Sequence, residues 1–214
     1  MHLYEVKLKK EDVNSLGLPL FGEYDTRDVV VHDPGLRDYI SLDMHLVPRR
    51  AGRYASLRFY HSKYHILERL MNKLQVTGHL SKSTHKRTSK SFTGKGITLF
   101  NVVHHTLKYI EQTMTMNPIQ VLVTAVENGA PREVITTIEY GGARYMQAVE
   151  CAPQKRVDMA LRHLASGAYM KSFKSKKPLY KALGDEIMQA YKIDQGSHAI
   201  SRKLEFERQA DSSR

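Results

Sequence analysis

The sequence predicts a mainly α-helical fold: a helical domain of five or six helices with one projecting β-hairpin, plus an irregular N-terminal extension. Three observations predict it. Apolar residues recur at three- and four-residue steps in several separate stretches. One stretch alone, residues 133–150, switches to strand-forming Val, Ile, Thr and Tyr around a Gly-Gly pair. Residues 1–48 are acidic and broken by Gly17, Pro19, Gly22, Pro34 and Gly35.

At 214 residues the chain is long enough for one core plus extensions, here an extension at 1–48 and a helical domain at 49–214. The extension holds short apolar pieces such as DVVVHD at 28–33 and one short helix, Leu36 to Leu42. In KYHILERLMNKLQVT, residues 63–77, Ile66, Leu67, Leu70, Met71 and Leu74 form one helical stripe, and Gly78 is the stop. Lys63, Arg69 and Lys73 are expected to lie largely away from that stripe. Residues 78–96 are Ser, Thr, Lys and Gly with almost nothing to bury, so a loop that orders against a partner is expected.

From 97 to 116, Phe100, Val103, Leu107, Ile110 and Met114 mark a long amphipathic helix, ended by Asn117 and Pro118. Ile119, Leu122, Val123 and Val126 then make the buried stripe of a helix over 118–128, closed by Gly129 and Pro131. If the hairpin turns on Gly141 and Gly142, Val134 faces Val149, Ile138 faces Tyr145, and Glu139 faces Arg144 as an opposite-charge pair. An isolated hairpin is marginal in water, so it must lean on helices or project as an arm. Three helices follow: Pro153 to about Phe173, on Val157, Ala160, Leu161, Leu164 and Ala168; Pro178 to Tyr191, on Leu179, Leu183 and Ile187; and Ser197 to Gln209.

The net charge of +11 calls for an anionic partner, and its distribution says where. Residues 49–95 hold 12 Lys and Arg against 1 acidic residue, whereas residues 1–48 hold 5 against 9. Uncompensated charge at that density repels itself unless a polyanion lies against it, and counterion release drives such binding. No apolar run approaches the roughly 18 residues of a membrane span, and the first residues lack the apolar stretch of a secretory signal, so a soluble cytosolic protein without a membrane partner is expected. The single cysteine, Cys151, reads as a small packed residue.

The sequence offers no catalytic frame. His61 and His65 are four apart, and His104 and His105 adjacent, but no glutamate sits between the first pair as in zinc hydrolases and no third ligand presents itself. Around Lys95, Ser89 and Gly96 break the phosphate-loop pattern. No catalytic residue, metal or cofactor is assigned. A metal-dependent ribonuclease using His61, His65 and His104 and a DNA-bending architectural protein are the alternatives, decided by RNA cleavage with divalent metal and by duplex competition.

The segment PRRAGRYASLRFYHSKYH interleaves Tyr54, Phe59, Tyr60 and Tyr64 with Arg49, Arg50, Arg53, Arg58 and Lys63. Guanidinium forks match phosphate oxygens and rings stack on unpaired bases, a combination suited to folded RNA. About half of these rings are assigned to the core. Lys82, Lys86, Arg87, Lys90 and Lys95 continue the basic run through the following loop.

Five stretches carry a likeness to a known family: LFGEYDTRDVVVHDPGLRDYI at 20–40, AGRYA at 51–55, HILERLMNKL at 65–74, NPIQVLVTAVENGAPRE at 117–133 and RYMQAVECAPQKRVDMAL at 144–161. In order and spacing the chain resembles universal family seven of the small-subunit ribosomal proteins, in its archaeal and eukaryotic form. The resemblance implies a non-enzymatic structural constituent of the ribosome in the cytoplasm, binding the 3′ major domain of small-subunit rRNA. It also implies a role in head assembly, neighbouring head proteins as partners, a position near the mRNA/tRNA exit site, and no homo-oligomer. It places RNA contacts on Arg49, Arg50, Arg53, Lys82, Lys86, Lys90, Lys95, Lys155 and Arg156, and an arm on 133–150. The arm departs from the family: its tip, EYGGAR, offers the single arginine Arg144 where several are expected, and APQKR at 152–156 is also poorer in arginine.

Overall fold

Side-chain acceptors set several helix starts. In the computed structural model, which describes residues 20–43, 49, 56–80, 86–88 and 92–214 (the backbone alone at 78–80 and 86–88), the Ile119 amide donates to Asn117 Oδ1 at 3.0 Å, just ahead of Pro118. Likewise the Leu67 amide donates to His65 Nδ1 at 3.2 Å. Such acceptors satisfy amides that a first helical turn leaves without partners. The described residues form six α-helices: α1 Ile66–Gln75, α2 Gly96–Met114, α3 Pro118–Gly129, α4 Pro153–Ser172, α5 Leu179–Tyr191 and α6 His198–Ser212. None is long and apolar enough to cross a membrane.

The helix α5 is the centre of the body, packed on α2, α3 and α4. Its interior face is small, with Ala182, Gly184 and Ala190 beside Leu183 and Ile187. Gly184 is required there, because a β-carbon would strike the Tyr109 ring of α2. The stripes expected from the sequence are the core: Leu70 and Leu74 of α1, Leu107 and Ile110 of α2, Leu122 and Val126 of α3, and Leu161 and Leu164 of α4 are all buried. Phe100 and Met114, at the ends of the α2 stripe, are half-buried.

The described residues form two β-ribbons. The long one pairs β3 Glu133–Tyr140 with β4 Ala143–Glu150 in the expected register, including Val134 opposite Val149 and Ile138 opposite Tyr145. Gly141 and Gly142 both take positive φ, as the two-residue turn demands. The base of this ribbon leans on α6, where the Arg132 amide donates to Glu207 and Arg214 pairs with Glu133. The second ribbon corrects the expectation of a plain loop at 78–96. Backbone pairing joins β1 Gly78–Leu80 to β2 Lys86–Thr88, with His79 opposite Arg87. Sequence patterning missed it because three-residue strands carry too short an alternation to register.

Residues 20–43 are fastened to the helices. Leu20, Tyr24, Leu36 and Ile40 join the core. Gln120 exchanges hydrogen bonds with the Val30 backbone, and Glu127 accepts the His32 and Asp33 amides. The short helix expected over Leu36 to Leu42 is a single 3-10 turn, Arg37–Tyr39, because Ile40 is already extended and Ser41 bridges to His65.

Candidate nucleic-acid interface

The basic stretch divides by what its cations touch. Arg69 corrects the expectation that it faces away from the apolar stripe: it is 2% exposed. Its Nη1 donates to the Tyr39 carbonyl at 2.7 Å and its Nη2 to Asp158 Oδ1 of α4 at 3.0 Å. Burial acts to raise the Asp158 pKa, but the Arg69 hydrogen bond and charge, with Lys73 at 3.5 Å, hold it below the usual carboxylate value. Helical spacing alone could not expose this, because α1 is covered on a second side by α4 and the 3-10 turn.

Arg49, Arg58, Lys63 and Lys95 are exposed and have no carboxylate partner among the described residues. Arg58 lies 5.0 Å over the Phe59 ring, and that ring is 59% exposed. Tyr64, by contrast, is core, and Tyr60 is half-buried. Arg49 and Lys95 converge at the start of α2: Lys95 is its N-cap and makes no side-chain cap bond, and a β-carbon on Gly96 would run into the Arg49 guanidinium. Amides of the first turn, the positive end of the helix dipole and two side-chain cations thus share one spot.

Of the other expected positions, Lys155 is exposed at the start of α4. Arg156 is not available in the same way, since its Nη2 binds Asp33 at 2.8 Å and its Nε donates to the Pro131 carbonyl at 3.2 Å. Arg144 stands at the ribbon tip, 3.8 Å from Glu139 as the register required. Lys86 and Arg87 lie on β2. Arg50, Arg53, Tyr54, Lys82 and Lys90 fall outside the described residues.

One cationic feature escaped sequence reasoning, the turn between α4 and α5. Lys174, Lys176 and Lys181 are exposed, and Lys174 lies 5.6 Å from the centre of the Phe173 ring. Phe173 meets Tyr169, which meets Phe92 at 6.0 Å, so the turn adjoins the entrance to α2. The signal was present in FKSKKPLYK, yet the neighbouring Lys177 is paired with Asp185 and Lys171 with the buried Glu186, so lysine density alone could not sort the members.

The histidines of the proposed metal set are engaged separately. His65 caps α1, His104 pairs with Glu23 at 3.1 Å, and His105 lies against Tyr180. Among the described residues no group of three His, Cys, Asp or Glu is placed to hold a metal. Cys151 is buried, and burial pushes its thiol pKa up.

A helical body with a β-ribbon arm carries exposed cations without carboxylate partners among the described residues, a surface that suits a polyanion. The family model described as ribosomal protein S7p/S5e matches residues 36–214. The chain is also 48% identical over 197 residues to the small ribosomal subunit protein uS7 of Nanoarchaeum equitans, an alignment covering 92% of this chain and 99% of that protein. The chain belongs to the ribosomal protein S7p/S5e family, whose members are structural proteins and not enzymes.

Proposed function

We propose that this chain, a structural component of the small ribosomal subunit in the cytoplasm by its family, binds the 3′ major domain of small-subunit rRNA, supports assembly of the subunit head and lies near the mRNA/tRNA exit site. The observation that carries the RNA-binding part is the set of exposed cations of the 49–95 stretch without carboxylate partners among the described residues, Arg49, Arg58, Lys63 and Lys95. Arg49 and Lys95 at the start of α2 suit one phosphate group, and Phe59 beside Arg58 suits an unpaired base. In this reading Arg50, Arg53, Lys82, Lys86, Arg87, Lys90 and Lys155 extend the contact, and the turn at Lys174 and Lys176 adds to it. Arg156 acts as a strut to Asp33.

Residues 49–214 are then the RNA-binding domain, and the acidity of residues 1–48 favours protein or the surface over RNA. Neighbouring head proteins are partners in the same reading. The test is co-sedimentation with small subunits at low salt, followed by mapping of protected nucleotides. Protection confined to the 3′ major domain is expected, and protection elsewhere, or none, overturns the assignment.

A further inference from the structure

Phe59 stands apart from the other rings of its segment. Tyr60, His61 and Tyr64 lie against one another with ring centres 4.2, 5.5 and 5.6 Å apart, and Tyr64 is buried. Phe59 has no ring contact among the described residues and is 59% exposed. Its backbone accounts for the difference: φ is 58° and ψ 30°, the left-handed region that a bulky residue rarely enters. The Phe59 carbonyl is held from two sides, accepting the Ser62 amide at 3.1 Å and the Ser62 hydroxyl at 2.8 Å. Glycine would adopt this backbone without strain, yet the chain places there an aromatic ring that stays in solvent. Strain of this kind persists only where the surrounding structure fixes it, and it collects at binding sites.

The charge around the ring selects its occupant. The Arg58 guanidinium lies 5.0 Å over the ring, which is still more than half exposed and so keeps surface for a second planar group. Arg58 and Lys63 are exposed without a carboxylate partner among the described residues, and no Asp or Glu occurs from residue 44 to residue 67. Asp158, which acts on His61, is already held by Arg69 and Lys73. A fixed apolar face beside two unneutralised cations fits a nucleotide, the ring stacking on the base and the cations meeting phosphates. A base inside a duplex has both faces covered, so the nucleotide must be unpaired and turned out. We propose that Phe59 is a preformed stacking platform for one unpaired RNA base, with Arg58 and Lys63 on the flanking phosphates. The proposal rests on the rRNA-binding reading and deepens it, making an extruded nucleotide, not a double helix, the target of this surface.

The experiment uses the full chain and a transcript of the 3′ major domain of small-subunit rRNA. Binding of the unsubstituted chain is measured first, and its absence counts against the rRNA-binding reading itself. The chain has no tryptophan, so Phe59→Trp puts a single fluorescent reporter in the platform. At saturation its emission should fall about twofold with the transcript and hardly at all with a fully paired RNA duplex, since only an unpaired base can stack on it. Phe59→Gly should weaken binding to the transcript about tenfold and leave the slope of log affinity against log salt unchanged, because stacking releases no counterions. Arg58→Ala with Lys63→Ala should lower that slope instead. The urea midpoint of Phe59→Gly should stay near the original, as glycine removes the left-handed strain together with the ring. Should the midpoint fall, the contrast in emission between transcript and duplex decides alone. Equal quenching by the duplex, no quenching by the transcript, or, with the midpoint unchanged, an affinity that Phe59→Gly leaves intact would each overturn the platform while the rRNA-binding reading stands.

Discussion

Arg69 and Arg49 come from the same basic stretch of sequence and end in opposite roles. Arg69 is enclosed between α1, α4 and the 3-10 turn, with a carbonyl and a carboxylate for its two terminal nitrogens. Arg49 is exposed at the start of α2, beside Lys95 and without an acidic neighbour among the described residues. The pattern repeats one helix pair away, where Arg156 is a strut to Asp33 and its neighbour Lys155 is exposed. Local charge density therefore marks a candidate polyanion site, and the pairing of each cation sorts the residues that are open to it from those that are not.

Substitutions can break this comparison from either side. The largest effect is expected for Arg69→Ala, which leaves Asp158 without its main partner and the Tyr39 carbonyl without a donor; a loss of about 3 kcal/mol is expected, read by urea unfolding. A loss near zero would mean that Arg69 is no strut. Next is a pH effect inside the same helical body. His163, packed between His198 and Phe206, has its pKa pushed down to about 4, chiefly by burial and then by His198. Between pH 6.5 and 4 the unfolded chain takes up a proton that the folded chain excludes, so stability falls as pH falls through that window. His163→Phe should flatten the fall, by an amount on the order of 2 kcal/mol. His198, lowered in the same direction, should leave a residual slope.

Arg156→Ala should cost about 1 kcal/mol, less than Arg69→Ala because Arg156 is less deeply buried, 13% exposed against 2%. The smallest stability change, within about 0.5 kcal/mol, is expected for Arg49→Ala with Lys95→Ala. That double variant should instead lower the slope of log affinity against log salt by roughly one unit per lost phosphate contact. Arg69→Ala, measured at a temperature where it stays folded, should leave that slope unchanged. A reversal of the two outcomes would dissolve the distinction between strut and contact.

Much of the fold is legible in the sequence because it is written in repeating local patterns. The stripes at Ile66–Leu74, Val103–Ile110 and Ile119–Val126 have the helical period, and Gly141-Gly142 sets a ribbon register that places Glu139 opposite Arg144. The short pairing of Gly78–Leu80 with Lys86–Thr88 was not legible, since it rests on backbone hydrogen bonds that side-chain identity hardly encodes. The candidate interface was legible as a region and only partly as residues. Arg49, Arg58, Lys63 and Lys95 are exposed without a carboxylate partner among the described residues, Arg156 is paired with Asp33, and the exposed Lys174 and Lys176 had not been singled out.

The sequence by itself determined which segments become helices, where the long ribbon turns, and that the chain carries a concentrated positive charge; each follows from composition or period within about twenty residues. Tertiary structure alone decided which cations are neutralised, because Asp158 reaches Arg69 across 89 positions and Asp33 reaches Arg156 across 123. It also decided that Leu20 to Ile40 close the core and that the outer ribbon stands clear of it, since burial depends on which surfaces meet and no local pattern records the partner.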